Sequence, residues 1–222
     1  MRPEFWHERW QRNEIGFHQD RPHAALARHW LTLGLAPRSR VFVPLAGKSL
    51  DMAWLAQAGH RVTGVELSPI AVRDFFAAQQ LSATRERHGA LERHVAGDLE
   101  LWCGDIFDLT PALLGPIDAI FDRAALVALP PPLRRRYAAQ LVALSGPATP
   151  MLLVTMEYAQ AQMPGPPHAV LEDEVHALYA GSHDITLLGR DAALADFPKF
   201  AQRGVSTLAE AVYRLEPRTA AR

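Results

Sequence analysis

Three short stretches of this 222-residue chain hold residues that could do chemistry. They are Pro44-Leu45-Ala46-Gly47-Lys48-Ser49, Gly64-Val65-Glu66 and Phe121-Asp122-Arg123, and each closes an apolar run. Glu66 stands 19 residues after Gly47. A carboxylate about 20 residues beyond a glycine turn accepts hydrogen bonds from a ribose diol and repels a 2′-phosphate. The alternative is a solvated carboxylate capping the helix that Ser68-Pro69 opens. Gly47-Lys48-Ser49 invites comparison with a phosphate-binding loop. That loop needs a glycine five positions before Gly47, and Phe42 stands there. The G-x-G-x-x-G fingerprint is also missing. A ribose grip without a pyrophosphate cradle fits an adenosyl ligand that carries no phosphate, and S-adenosylmethionine is such a ligand.

Other residues fit the same reading. Cys103-Gly104-Asp105-Ile106 follows a further strand, where an adenine slot would lie. Asp105 could instead form a turn through a local side-chain bond. Asp122 and Arg123 set opposite charges side by side at a buried strand end. That is costly unless they pair with each other or Arg123 meets a ligand carboxylate. Trp6, Trp10 and Phe17 could keep water from a reacting methyl group or simply pack a core. The ten histidines show no metal-ligand spacing, so no metal is expected.

Alternating strands and helices are needed to hold these residues. Helices are predicted over 3–14 and about 22–34. Strands are predicted at 40–44, 60–65, 99–103, 117–121, 151–156, 184–189 and 208–215. Helices fall at 50–58, 69–81, 132–144 and 171–180. The alternation implies a parallel, doubly wound sheet with right-handed crossovers. The last two strands lie close together and predict an antiparallel finish. The whole reads as one domain over 1–222, with 1–36 a helical lid and 37–222 the core. Ligands bind such sheets at the carboxyl ends of the strands.

Composition narrows the classes. Lys plus Arg is 23 against 24 Asp plus Glu, which excludes a strongly basic nucleic-acid footprint. Arg134-Arg135-Arg136 reads as a solvated helix start. The single cysteine, Cys103, excludes an internal disulfide framework. No apolar run approaches the ~20 residues of a membrane span. Glu4, His7, Glu8, Arg9 and Arg12 leave no apolar signal-peptide segment. A cytoplasmic protein, monomeric by default, is expected.

The whole pattern resembles the thiopurine S-methyltransferase family in its bacterial form. The resemblance rests on Trp6-His7-Glu8-Arg9-Trp10, Gly16-Phe17-His18, Val43 to Ser49, Gly59 to Glu66, Asp122 to Leu129 and Gly165-Pro166-Pro167. It implies a Rossmann-like methyltransferase fold and transfer of methyl from S-adenosylmethionine to sulfur, leaving S-adenosylhomocysteine. It implies that Trp10, Leu45, Glu66, Asp105, Ile106 and Arg123 line the cofactor. Phe17 matches a substrate-touching position, with Trp6 and His168 as further candidates. Arg123 and Asp122 would position the reactants, with no covalent or acid–base group. Selenium and tellurium oxyanions and derived species are further acceptors suggested by bacterial members. The chain departs from the family at Ala46, where cysteine is usual, and at His168, where an aromatic is common. Two other readings stand beside this one. They are a nicotinamide oxidoreductase on the same fold and a non-catalytic sensor of the adenosyl cofactor.

Overall fold

The computed structural model describes residues 3–146 and 148–218. The outermost residues of the predicted domain, 1–2 and 219–222, lie outside them. The chain falls into two compact units, Met1–Phe121 and Asp122–Arg222.

The first unit opens with helix α1 (Pro3–Gln11) and helix α2 (Ala24–His29). Strand β1 (Arg40–Val43), helix α3 (Leu50–Gln57), strand β2 (Arg61–Glu66) and helix α4 (Pro69–Ala78) follow. Next come β3 (Thr84–His88), β4 (Leu91–Ala96), β5 (Leu99–Cys103), the single turn of α5 (Pro111–Leu114) and β6 (Ala119–Arg123), whose last two residues, Asp122 and Arg123, already belong to the second unit. The strand order is β3-β4-β5-β2-β1-β6. β5, β2, β1 and β6 run parallel, while β4 is antiparallel to both of its neighbours. β1 therefore lies at a switch point of strand order. Val41, Phe42 and Val43 of β1 are buried, as a strand covered on both faces requires.

Capping residues set where helices begin. Ser49 Oγ accepts the N–H of Asp51 at 3.2 Å to start α3, and Ser68 Oγ accepts that of Ala71 at 3.4 Å to start α4. His23 caps α2 through Nδ1, which accepts the N–H of Ala25 at 3.2 Å. The predicted helix over 22–34 is shorter than expected. It passes at Trp30 into a 3-10 turn that Gly34 ends at φ +62°.

The second unit holds α6 (Pro131–Ser145), β7 (Met151–Glu157), α7 (Glu172–Tyr179), β8 (His183–Ala192), α8 (Pro198–Gln202) and β9 (Ala209–Pro217). β9 pairs antiparallel with both β7 and β8, the finish expected from the sequence. Arg134 departs from expectation. It is 1% exposed rather than solvated. Its Nε donates to the Leu129 carbonyl at 2.9 Å and Nη1 pairs with Glu174 of α7. Arg135 and Arg136 are exposed as predicted. Among the described residues no helix is long and apolar enough to cross a membrane.

Candidate functional site

Glu66 ends β2 and is 6% exposed, not solvated. Oε2 accepts the N–H of Gly47 at 2.8 Å and Oε1 that of Ser68 at 2.7 Å. One carboxylate thus ties the β1–α3 loop to the start of α4. A carboxylate oxygen has room for a second hydrogen bond, so both oxygens keep capacity for a hydroxyl donor. Burial raises the pKa of Glu66 to about 7, against the three backbone hydrogen bonds that favour the charged form. The ribose-type spacing and the helix-start contact read from the sequence are therefore both features of one group.

The loop held by Glu66 is strained and tightly covered. Leu45 has φ +45°, uncommon for a residue with a branched side chain, and such outliers cluster at ligand sites. Gly47 has φ +56°, and a Cβ there would sit 3.3 Å from Cζ2 of Trp10. Glycine serves both needs, positive φ and close approach of an indole. Trp10 is buried at the end of α1. Half-buried Phe17 meets both Trp10 and Trp6 edge to face, with centroids 5.7 Å apart in each pair. The aromatic cluster predicted as a cover thus lies on the glycine turn through Trp10.

Cys103 is in register with Glu66 across the β2–β5 pair. The chain beyond it turns at Asp105, whose Oδ1 accepts the N–H of Phe107 at 3.0 Å. The local turn bond anticipated for Asp105 is present. Ile106 is buried directly after it. Burial, with the charge of Glu66 next in size, pushes the Cys103 thiol up to about 11, so it is no ready nucleophile.

The end of β6 is built differently from the sequence reading. Asp122 and Arg123 are the last residues of the strand, not the residues after it. Asp122 is 0% exposed. Its Oδ2 accepts the Tyr137 hydroxyl at 2.7 Å and Oδ1 the Leu126 N–H at 3.2 Å. Burial raises its pKa to about 6. Tyr137 was legible only as one apolar-face residue of α6, so its hydroxyl was missed. Arg123 is half-buried, and Ala124 after it has φ +61°. In the same unit His168 follows Gly165-Pro166-Pro167, and its N–H donates to the Val127 carbonyl at 2.7 Å. Gly165, at φ +80°, packs under the imidazole, and a Cβ there would collide with the ring. Burial, and then the charge of Arg134, lowers the pKa of His168.

The profile of the family described as thiopurine S-methyltransferase matches residues 1–218. The chain belongs to the thiopurine S-methyltransferase family. A thiopurine S-methyltransferase of Bordetella petrii is 50% identical over 216 residues, 97% of this chain and 99% of the relative. One from Pseudomonas fluorescens is 49% identical over 97% of this chain and 99% of its own. One from Methylococcus capsulatus is 46% identical with both chains fully covered. Among solved structures, an S-adenosylmethionine-dependent methyltransferase from Anabaena variabilis covers 97% of this chain and 95% of its own. Its TM-score is 0.62 at 13% identity. A Burkholderia thailandensis N1-methyltransferase with S-adenosylhomocysteine bound gives 0.60 at 18% identity, over 96% of this chain and 87% of its own. These neighbours confirm the methyltransferase form of the Rossmann-like fold. Membership of the thiopurine S-methyltransferase family makes the chain an S-adenosylmethionine-dependent methyltransferase.

Proposed function

We propose that the enzyme methylates the sulfur of thiopurines and other aromatic thiols. The same sulfur-directed chemistry extends to small selenium and tellurium acceptors. The observation that supports this best is Glu66, a buried carboxylate at ribose-grip spacing with both oxygens held in place by backbone N–H groups. S-adenosylmethionine, when bound, supplies an electrophilic methyl carried on a sulfonium. Glu66 takes the ribose hydroxyls. Asp105 and Ile106 flank the adenine, and Leu45 and Trp10 close over the cofactor. Arg123 is assigned the cofactor's carboxylate, and Asp122 holds the turn that carries it. Phe17, Trp6 and His168 are assigned to the acceptor. No residue is asked to form a covalent bond or to protonate a leaving group, because the sulfonium leaves as a neutral thioether, and the proton that the acceptor thiol loses passes to water or a nearby Asp. The protein's contribution is alignment and a dry site. The protein is read as a cytoplasmic monomer, and its net charge of -1 carries no strongly basic footprint for nucleic acid.

The test is calorimetric titration with S-adenosylhomocysteine, followed by a methyl-transfer assay on 6-mercaptopurine. Binding with turnover is expected. Binding without turnover on any thiol or chalcogen acceptor would make the protein a sensor. No binding would remove Glu66 and Arg123 from the site.

A further inference from the structure

Asp122 joins three parts of its unit. Its own backbone ends β6. Its Oδ1 holds Leu126, the first residue of the 3-10 turn Leu126–Ala128. Its Oδ2 takes the hydroxyl of Tyr137, fifteen positions along the chain in α6. Tyr137 is fully buried. Between the bonded points lie Arg123, Ala124 and Ala125. Ala124 adopts φ +61°, a left-handed conformation that is unfavourable for a residue with a Cβ. Such a residue persists only where its surroundings over-determine it. The two hydrogen bonds to Asp122 span this turn and supply that constraint.

We infer that Tyr137 is a positioning residue for Arg123, acting through the Asp122 carboxylate. The inference rests on Arg123 contacting the cofactor. The ring of Tyr137 could be replaced by phenylalanine with the same packing. Its hydroxyl adds one directional bond to a carboxylate that is wholly buried. An apolar pair at these two positions would satisfy the core without that bond. The polar pair instead selects one orientation of Asp122, and with it one geometry of the turn that presents Arg123. Tyr179 of α7 is also buried, and its hydroxyl has no hydrogen-bond partner among the described residues. Tyr137, and not Tyr179, is the tyrosine that donates to Asp122.

The test compares Tyr137→Phe, Arg123→Ala and the double variant, with affinity for S-adenosylhomocysteine read by calorimetry. Tyr137→Phe is expected to weaken binding up to about tenfold, the scale of one lost hydrogen bond. The KM for the thiol acceptor should stay within about twofold, which a general loss of structure would not produce. The double variant should bind no more weakly than Arg123→Ala alone, the mark of two residues acting through one path. If Tyr137→Phe leaves binding unchanged, or adds its full effect to Arg123→Ala, the inference is overturned and Arg123 stands. If Arg123→Ala leaves binding unchanged, the cofactor reading of Arg123 fails and the inference falls with it. Should Tyr137→Phe not fold, Tyr137→Met removes the hydroxyl and leaves an apolar side chain that adapts to the core. It is expected to give the same weakening, and normal binding in that variant would equally overturn the inference.

Discussion

At the scale of single residues, the protonation of Glu66 is the property most exposed to measurement. Its pKa rises from 4.5 to about 7 on burial. Between those values the folded, ligand-free chain holds a proton that the unfolded chain has released. Stability of the free protein therefore falls as pH rises through that window. Ligand binding works in the other direction, because ribose hydroxyls donate to the carboxylate and not to the acid. Titration with S-adenosylhomocysteine at about pH 6.5 is expected to release protons, seen as a dependence of the heat on the buffer's ionisation enthalpy. Above about pH 8 the release should vanish. Glu66→Gln should abolish it and weaken binding by roughly ten- to a hundredfold, since an amide turns one donor against a backbone N–H. Proton release that survives in Glu66→Gln would assign the titration elsewhere, with Asp122, whose pKa burial also raises, the next candidate.

At the scale of elements, the turn after α2 is tied to the sheet through a neutral histidine. The Trp30 indole N–H donates to Nε2 of His60 at 3.0 Å, joining the turn after α2 to the chain entering β2. Burial lowers the pKa of His60 below 6.5, so the unfolded chain takes the proton more readily. The bond's contribution is present above about pH 6.5 and is lost as pH falls below it. His60→Phe removes the acceptor and should cost about 1–3 kcal/mol in urea unfolding at about pH 7.5. The gap to the wild type should narrow at about pH 5.5. A gap constant with pH would mean that His60 does not serve as a neutral acceptor. The elements themselves were legible where burial imprints a period. β1 and β7 are apolar runs, β5 alternates, and α3 and α4 carry serine caps, so their positions follow from the sequence. The β3–β4 hairpin was invisible for a physical reason. Thr84-Arg85-Glu86-Arg87-His88 forms a charged edge strand with four of five positions exposed, and β4 buries only Leu91 and His94. Neither shows a two-residue period. α5 and α8 are too short to show one. The site divides the same way. Glu66 could be read from its spacing to Gly47, because a strand and a helix fix that distance. The partner of Asp122 could not, because Tyr137 meets it only through tertiary packing. The burial of Arg134 was hidden alike, since its partners Leu129 and Glu174 are set by the packing of α6 and α7.

At the scale of the whole molecule, the first turn explains why this fold serves a methyltransferase here and not a nicotinamide enzyme. A sheet of this kind also serves nicotinamide cofactors, and a ribose-gripping carboxylate would suit either ligand. The difference lies in the phosphates. A dinucleotide needs a glycine-rich cradle of backbone N–H groups at the first turn. Here the N–H of Gly47 is already committed to Glu66, and Leu45 and Ala46 stand where further glycines would open the loop. A pyrophosphate would meet one spent donor and a buried carboxylate of its own sign. Binding to the folded state alone raises stability by about 2.7 kcal/mol at a hundredfold excess over Kd. For a chain of this size that is a rise in Tm of roughly 5–10 °C. S-adenosylhomocysteine is expected to give such a rise in a thermal-shift experiment, and NADH at the same concentration none. A larger shift with NADH would overturn the assignment of Glu66 to a phosphate-free adenosyl ligand. A shift with S-adenosylhomocysteine that disappears in Gly47→Ala would place the ligand against the loop that Trp10 covers. The added methyl strains the positive φ and pushes Trp10 away.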